Sequence, residues 1–448
     1  MTIAAEPARL ELPLASDKPQ AAADINYKLF LDCVHCGLCT ATCPTYLETS
    51  NENDSPRGRI YLMRAVTDGR LSLDDQVRKH IDLCLDCRAC ESACPSAVQY
   101  GKLIEPFRIR MAKDVSPAIG WFMRFLLFHV TPSARRMRWA LLPARLMQRT
   151  RLDRVFSRIG IPRLLPRSLR QLHEMLPRLQ LHYGRLPELL PAEGKRRARV
   201  ALFIGCAADA FFPKTTLNTA RVLQRNGCEV VVPRGQGCCG ALHYHAAQET
   251  SAKVRAEQNC AAFDSAGVDA IVVNAAGCGA MLKDYGRLLH GTVNEPRSSA
   301  LASKVRDISE FLMELGPVPP TQPLPIKAVY HDACHLCHAQ QIRKQPRQLL
   351  EMIPDLQLLP LEESEICCGA AGSYNLTQPE MAERLGQRKA RYILETGAEA
   401  VFTGNVGCLL QIGRYLRADK RELWTGHPVD ALWASYSGEW SRRETASK

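Results

Sequence analysis

Cys33, Cys36, Cys39 and Cys43-Pro44 recur at the same spacing as Cys84, Cys87, Cys90 and Cys94-Pro95. A Cys-x2-Cys-x2-Cys-x3-Cys-Pro run, present twice, is the spacing of bacterial two-cluster ferredoxins, in which the fourth cysteine of each run serves the other run's cluster. The expected ligand sets are Cys33, Cys36, Cys39 and Cys94 for one [4Fe–4S] cluster, and Cys84, Cys87, Cys90 and Cys43 for its neighbour. The exchange of fourth ligands brings the two clusters close together, as an electron path requires. Zinc asks for a single tetrahedral set, usually two separated pairs, and has no use for two three-plus-one runs. Disulfides need an oxidising compartment. The stretch Met1–Asp24 is rich in Ala and Pro, and no basic segment followed by an apolar core gives it the look of a secretory leader. The expectation is a cytoplasmic chain whose thiols are available for metal, and whose business is moving electrons.

The 448 residues are enough for about three domains. The longest aromatic-rich apolar stretch, Trp121–Val130, is ten residues, contains Arg124, and falls short of a membrane span. The formal charge of +12 is concentrated between Arg108 and Arg199, where 21 Lys and Arg face five Asp and Glu, a net +16 that leaves −4 for the rest. Such a stretch suits an anionic surface or an acidic partner. Neither a nucleic-acid motif nor the aromatic interleaving of single-strand binders accompanies it, so nucleic acid is not an expected partner.

A second repeat occupies the C-terminal half. Cys206, Cys238-Cys239-Gly240 and Cys278 recur in register as Cys334, Cys367-Cys368-Gly369 and Cys408, about 130 residues on. Self-similarity of this length marks a duplicated domain. In each copy short apolar runs (Val200–Ile204, Glu229–Val232, Ala270–Val273; then Ala328–Tyr330, Leu356–Leu359, Ala400–Phe402) stand just ahead of the cysteines, with helical stretches such as Ala246–Phe263 and Pro379–Glu395 between them. The alternation predicts parallel sheets, whose ligands sit beyond the carboxyl ends of the strands.

The expected fold class is therefore α+β and multidomain. A tail (1–24) precedes an α-helical two-cluster ferredoxin domain (25–115), with helices at Pro56–Asp68, Leu71–Ile81 and Ile104–Met111. A basic helical connector (116–197) leads to two α/β Cys-Cys-Gly domains (198–318 and 325–437). For the connector two readings stand side by side: helices packed on the rest of the protein with solvated arginines, or a surface for membrane or subunit docking. The eight repeat cysteines either hold a further cluster or persist as structural thiols.

Two motifs point elsewhere. Gly235-Gln-Gly237-Cys-Cys-Gly240 matches the GxGxxG dinucleotide fingerprint, but only the cysteine pair recurs in the second copy, where Ser364, Glu365 and Ile366 precede it; no nucleotide site is expected. Cys334-His-Leu-Cys337-His338 matches a haem c attachment pattern, which the register of the repeat assigns instead to the Cys206 position. Cys228, Cys260 and Cys337 have no counterparts and read as core-packing or surface thiols, while His243 and His245 read as hydrogen-bonded structural residues, with tuning or ligation of a cluster as the alternative.

Two ferredoxin runs followed by two Cys-Cys-Gly domains, with Ser55-Pro-Arg-Gly-Arg-Ile-Tyr61 after the first run, resemble the iron–sulfur subunit of bacterial glycolate oxidase from about Tyr27 to Trp433. The resemblance implies an electron-transfer subunit with no catalytic residues of its own. FAD would reside on partner subunits that oxidise glycolate to glyoxylate, quinone or the membrane redox chain would be the acceptor, and the complex would sit peripherally on the inner face of the cytoplasmic membrane. The same architecture resembles iron–sulfur subunits acting on glycerol 3-phosphate or lactate, and heterodisulfide reductases that carry catalytic clusters. The last group ends its motif in Cys-x-x-Cys, whereas here Met281 and Gln411 stand at the final position.

Overall fold

The computed structural model describes residues 25–113, 120–160, 164, 166–179, 184–264, 267–419 and 423–440. The expected tail, 1–24, lies outside them. Ser55 starts the first long ferredoxin helix, Pro56–Thr67, its hydroxyl accepting from Gly58 N at 3.0 Å while Pro56 occupies the first turn, where no donor is needed. Ile60, Met63 and Ala65 on its inner face are buried. The next helix, expected from Leu71, begins only at Asp75, because Asp74 caps it by accepting from Val77 N at 2.9 Å. The third runs from Gly101 to Lys113 with Pro106 inside it. These helices close an apolar core of Phe30, Met63, Ile81, Leu103, Ile104 and Phe107.

The two repeat copies build two sheets of matching topology. In the first, β2 (Ala198–Phe203) is flanked by β3 (Cys228–Val231) and β4 (Ala270–Val273), all parallel, with Val200 opposite both Val230 and Ala270. In the second, β6 (Lys327–Tyr330) lies between β7 (Gln357–Leu359) and β8 (Ala400–Phe402), with Ala328 opposite Leu358 and Ala400. Each copy adds a three-residue parallel edge strand, β5 (Val305–Asp307) and β9 (Trp424–Gly426). A two-residue antiparallel strand, β1 (Leu189–Leu190), borders β3. These three strands are too short to carry a periodicity and escape a reading of the sequence. One continuous core joins the copies: Val200, Leu202 and Val230 belong to the same apolar cluster as Tyr330, Phe402 and Leu432.

The connector wraps this body as short helices, among them Trp121–Phe125, Ala134–Ala140, Leu142–Arg149 and Arg167–Met175. Its inner face is packed: Met123, Leu127 and Met137 are buried, Phe128 lies 5.6 Å from the ring of His243, and Arg145 donates to the Ala210 carbonyl at 3.1 Å. Its outer face leaves Trp121 80 %, Trp139 67 % and Leu146 63 % exposed. The inner face agrees with the reading of helices packed on the rest of the protein. Among the described residues no helix is long and apolar enough to cross a membrane.

The ferredoxin domain docks against both copies. Tyr374 donates to the Leu83 carbonyl at 2.8 Å and Arg388 to Glu48 at 2.9 Å. At the centre of the junction, Glu105, 4 % exposed, accepts from Arg88 on its own domain and Arg287 on the first copy, each at 2.7 Å. Buried charges held in this way are costly to orphan. Glu105→Ala is expected to remove about 3–5 kcal/mol from the first unfolding transition and to expose the ferredoxin domain to proteolysis; a chain that melts and digests like the parent would contradict this.

Candidate metal centres

The Ser-Pro-Arg-Gly-Arg segment organises the ferredoxin loops. Arg57 donates to the His35 carbonyl at 3.1 Å and closes the first cysteine loop over Gly37, which has φ +88° and where any Cβ would meet the guanidinium at 2.5 Å. A Cβ at Gly58 would lie 2.0 Å from the Glu52 carbonyl oxygen. Arg59 points inward. It is 1 % exposed, donates to the His80 carbonyl at 2.7 Å and to Thr45 at 3.0 Å, and stands 3.9 Å from Cys43 Sγ. Burial works against its charge, but Cys84, Tyr100, Cys43 and Asp54 around it more than offset that and keep it cationic.

Cys43, Cys84, Cys87 and Cys90 line one cavity, with Arg59 and Tyr100 in its wall. Donors already face the sulfurs: Tyr100 O–H at 3.6 Å and Asp86 N–H at 3.4 Å from Cys84 Sγ. Four soft donors around a cavity, with N–H and O–H groups aimed at the sulfurs, fit a [4Fe–4S] cluster. Burial pushes the Cys87 and Cys90 thiols well up, so it takes a bound cation to hold them as thiolates. The companion residues lie nearer the surface. Cys36 is exposed, Cys33, Cys39 and Cys94 are half-buried, burial pushes Cys39 up to about 11, and Cys94 is close enough to Cys33 to act on its charge.

In the repeats all eight cysteines gather beyond the carboxyl ends of the strands. Cys206 Sγ lies 3.6 Å from Cys238 Sγ, and Cys239 makes sulfur contacts with Cys238 and Cys278. Cys334, Cys367, Cys368 and Cys408 form the same chain of contacts and are all buried. The glycine of each Cys-Cys-Gly is obligatory: Gly240 (φ +89°) and Gly369 (φ +84°) are left-handed, and a Cβ would press on the carbonyls of Ala252 at 3.2 Å and Ala382 at 2.9 Å.

The sets lie in series. Cys334 is near enough to Cys87 to raise its thiol further. Between the two copies Gly277 N donates to Asn405 Oδ1 at 3.4 Å, and Asn405 Nδ2 donates to Cys408 Sγ at 3.6 Å, so one amide links the Cys278 loop to the other set. A polar pocket beside this seam is lined by Arg88, Glu105, His245, Lys283, His335 and Gln340.

Other expected residues fall elsewhere. Cys228, Cys260 and Cys337 are buried in the cores, their thiols pushed up by burial to about 12, 11 and 12. Both ring nitrogens of His338 are engaged, by Ser92 Oγ at 3.0 Å and the Glu365 carbonyl at 3.1 Å. In the glycine-rich loop Gly237 N donates to Asn259 at 2.8 Å. His245 meets Asp86 at 3.4 Å and the His335 ring at 5.5 Å, in line with a structural role. Sequence reading missed Arg57, Arg59, Asn405, Lys389 and His331, which lie outside the cysteine spacing; only the paired arginines of the Ser-Pro-Arg-Gly-Arg segment hinted at a role.

A ferredoxin domain docked on duplicated cysteine-rich domains, with its thiols in series, defines an iron–sulfur electron-transfer subunit of a multi-subunit oxidoreductase. Comparison with known proteins agrees. The chain matches a 4Fe-4S dicluster domain over residues 30–98, a cysteine-rich domain over 200–283 and 328–413, and the linker region of the glycolate oxidase iron-sulfur subunit over 119–176. It is 39% identical to the probable glycolate oxidase iron-sulfur subunit of Bacillus subtilis over 390 residues, covering 85% of this chain and 88% of that one. It is 34% identical to the glycolate oxidase iron-sulfur subunit of Escherichia coli over 388 residues, 84% and 88% of the two chains. Lactate utilization protein A of Shouchella clausii is 32% identical over 235 residues, 52% of this chain. The chain belongs to the glycolate oxidase iron–sulfur subunit family.

Arg59→Leu removes the buried cation beside Cys43 and Cys84. The midpoint potential of one of the two ferredoxin clusters is expected to fall, since reduction adds negative charge that Arg59 stabilises. A redox titration followed by EPR checks this, and unchanged midpoints for both would contradict it.

Proposed function

We propose that this chain carries electrons from FAD-bearing partner subunits, which oxidise glycolate to glyoxylate, toward membrane quinone. The observation that carries the proposal is the series of thiol sets running from exposed Cys36 through buried Cys87 to Cys334. Clusters bound at these sets supply one-electron steps. The ligands would be Cys33, Cys36, Cys39 and Cys94 for one, and Cys43, Cys84, Cys87 and Cys90 for the other. The chain's own part is to fix their spacing, exclude water from the second set and hold Arg59 against it. Val34, 69 % exposed, and Leu38, 59 % exposed, form an apolar collar around the first set, which suits a docking partner. Glycolate is favoured over lactate because the glycolate oxidase subunits match 84–85% of the chain and the lactate utilization protein about half. Cys87→Ser in the assembled complex is expected to abolish reduction of a quinone analogue while sparing flavin reduction by glycolate. Equal loss of both would contradict the proposal.

The outer face of the connector supports a peripheral membrane contact. Trp121, Phe122, Phe125, Trp139 and Leu146 are exposed on a segment whose surroundings are strongly basic, the composition of an interfacial anchor on anionic lipid. The full chain is expected to co-sediment with vesicles containing anionic lipid, and Trp121→Ser with Trp139→Ser to weaken that binding at least tenfold. Equal binding by the doubly substituted chain would contradict the contact.

A further inference from the structure

The two cysteine sets of the repeat share a geometry but not their surroundings. Aligning Cys206 with Cys334 places Phe203 against His331; the later cysteines likewise place Cys260 against Lys389, Ala275 against Asn405, and Met281 against Gln411. Each of the four positions is apolar or a thiol in the first copy and polar in the second. Phe203 ends strand β2, and its ring lies beside the Cys278 loop, 3.6 Å from where a Cβ on Gly205 would stand. His331 continues from the matching strand, β6, with its backbone N–H donating to the Phe402 carbonyl at 2.9 Å.

His331 is fully buried; the Ser364 backbone stands close enough to act on its ring, but neither ring nitrogen makes a well-formed hydrogen bond. A buried polar group left in this way calls for a ligand. A nitrogen of its ring and the sulfurs of Cys368 and Cys408 all lie within 4.8 Å of one another. Lys389, 2 % exposed, donates to the Glu363 carbonyl and acts electrostatically on Cys368 and Cys367. Asn405 adds its amide N–H to Cys408. An unpartnered imidazole, a buried ammonium and an amide donor are wasted on neutral thiols; they suit an anionic cluster.

We infer that the second repeat, through Cys334, Cys367, Cys368, Cys408 and His331, holds a third iron–sulfur cluster with His331 as a nitrogen ligand. The inference rests on the iron–sulfur reading above and deepens it. Zinc takes one compact tetrahedral set, whereas here the sulfurs extend as a chain of contacts from Cys334 through Cys367 and Cys368 to Cys408 beside His331, and a redox-inert ion beside Cys87 would end the electron path. A neutral imidazole adds a ligand without adding the negative charge a further thiolate would bring, so this cluster is easier to reduce than one with an added thiolate, and the set is the natural acceptor from the ferredoxin domain. The first repeat has Phe203 in place of this imidazole.

The test is pulsed EPR on the anaerobically purified, partly reduced full chain, with natural-abundance and ¹⁵N-labelled histidine. A strong nitrogen coupling that changes with the label is expected. His331→Ala should remove it along with about four irons per chain, leaving both ferredoxin signals intact. His331→Cys, which keeps a donor and guards against a folding failure, should retain the iron, lose the coupling and lower that cluster's potential. Absence of a coupled histidine nitrogen, its survival in His331→Ala, or zinc in place of iron at the site would overturn the inference. Loss of the ferredoxin signals from the unsubstituted chain would instead overturn the broader reading on which it rests.

Discussion

Burying many sulfurs is the constraint on which this structure depends. A thiol taken out of water resists ionisation, and a cluster that turns it into a thiolate brings net negative charge into a medium that tolerates it poorly. The chain meets this with fixed positive groups and oriented N–H donors: Arg59 against the second ferredoxin set, Lys389 and Asn405 against the second repeat set. None of these residues is a cysteine, yet each places a positive charge or an N–H donor where it favours an anionic centre.

The same constraint shapes the architecture. Parallel strands deliver all eight repeat cysteines to the carboxyl end of their sheets, and the fused apolar core holds those ends together. The ferredoxin domain seats its buried set, not its exposed one, against this edge, locked by the Arg88–Glu105–Arg287 triad. A gradient from surface to interior results. Cys36 is open to a partner, Cys87 is enclosed, and Cys334 lies behind it.

Much of this was legible in the sequence because metal sites and repeats leave regular spacing. Cysteine intervals announced the ferredoxin domain, and the recurrence of Cys-Cys-Gly announced duplicated α/β units with ligands at the strand ends. Pro379–Glu395 and Ala270–Val273 appear with the bounds the pattern implied. Helix starts were less legible: Asp74, a capping carboxylate, displaced the apolar periodicity that pointed to Leu71. Edge strands β5 and β9 are three residues each and held by neighbours distant in sequence. His331 and Lys389 were hidden for a different reason. Their contrast with Phe203 and Cys260 is readable by aligning the cysteines, but it takes the fold to show that His331 and Lys389 are buried beside Cys368.

The most direct test of the central claim, a chain of iron–sulfur centres that runs beyond the ferredoxin domain, is iron and acid-labile sulfide per chain on anaerobically purified protein. About twelve of each are expected, four for each of two ferredoxin clusters and four for the second repeat. About eight of each would contradict the extension into the repeats, and iron without matching sulfide would contradict the iron–sulfur reading itself.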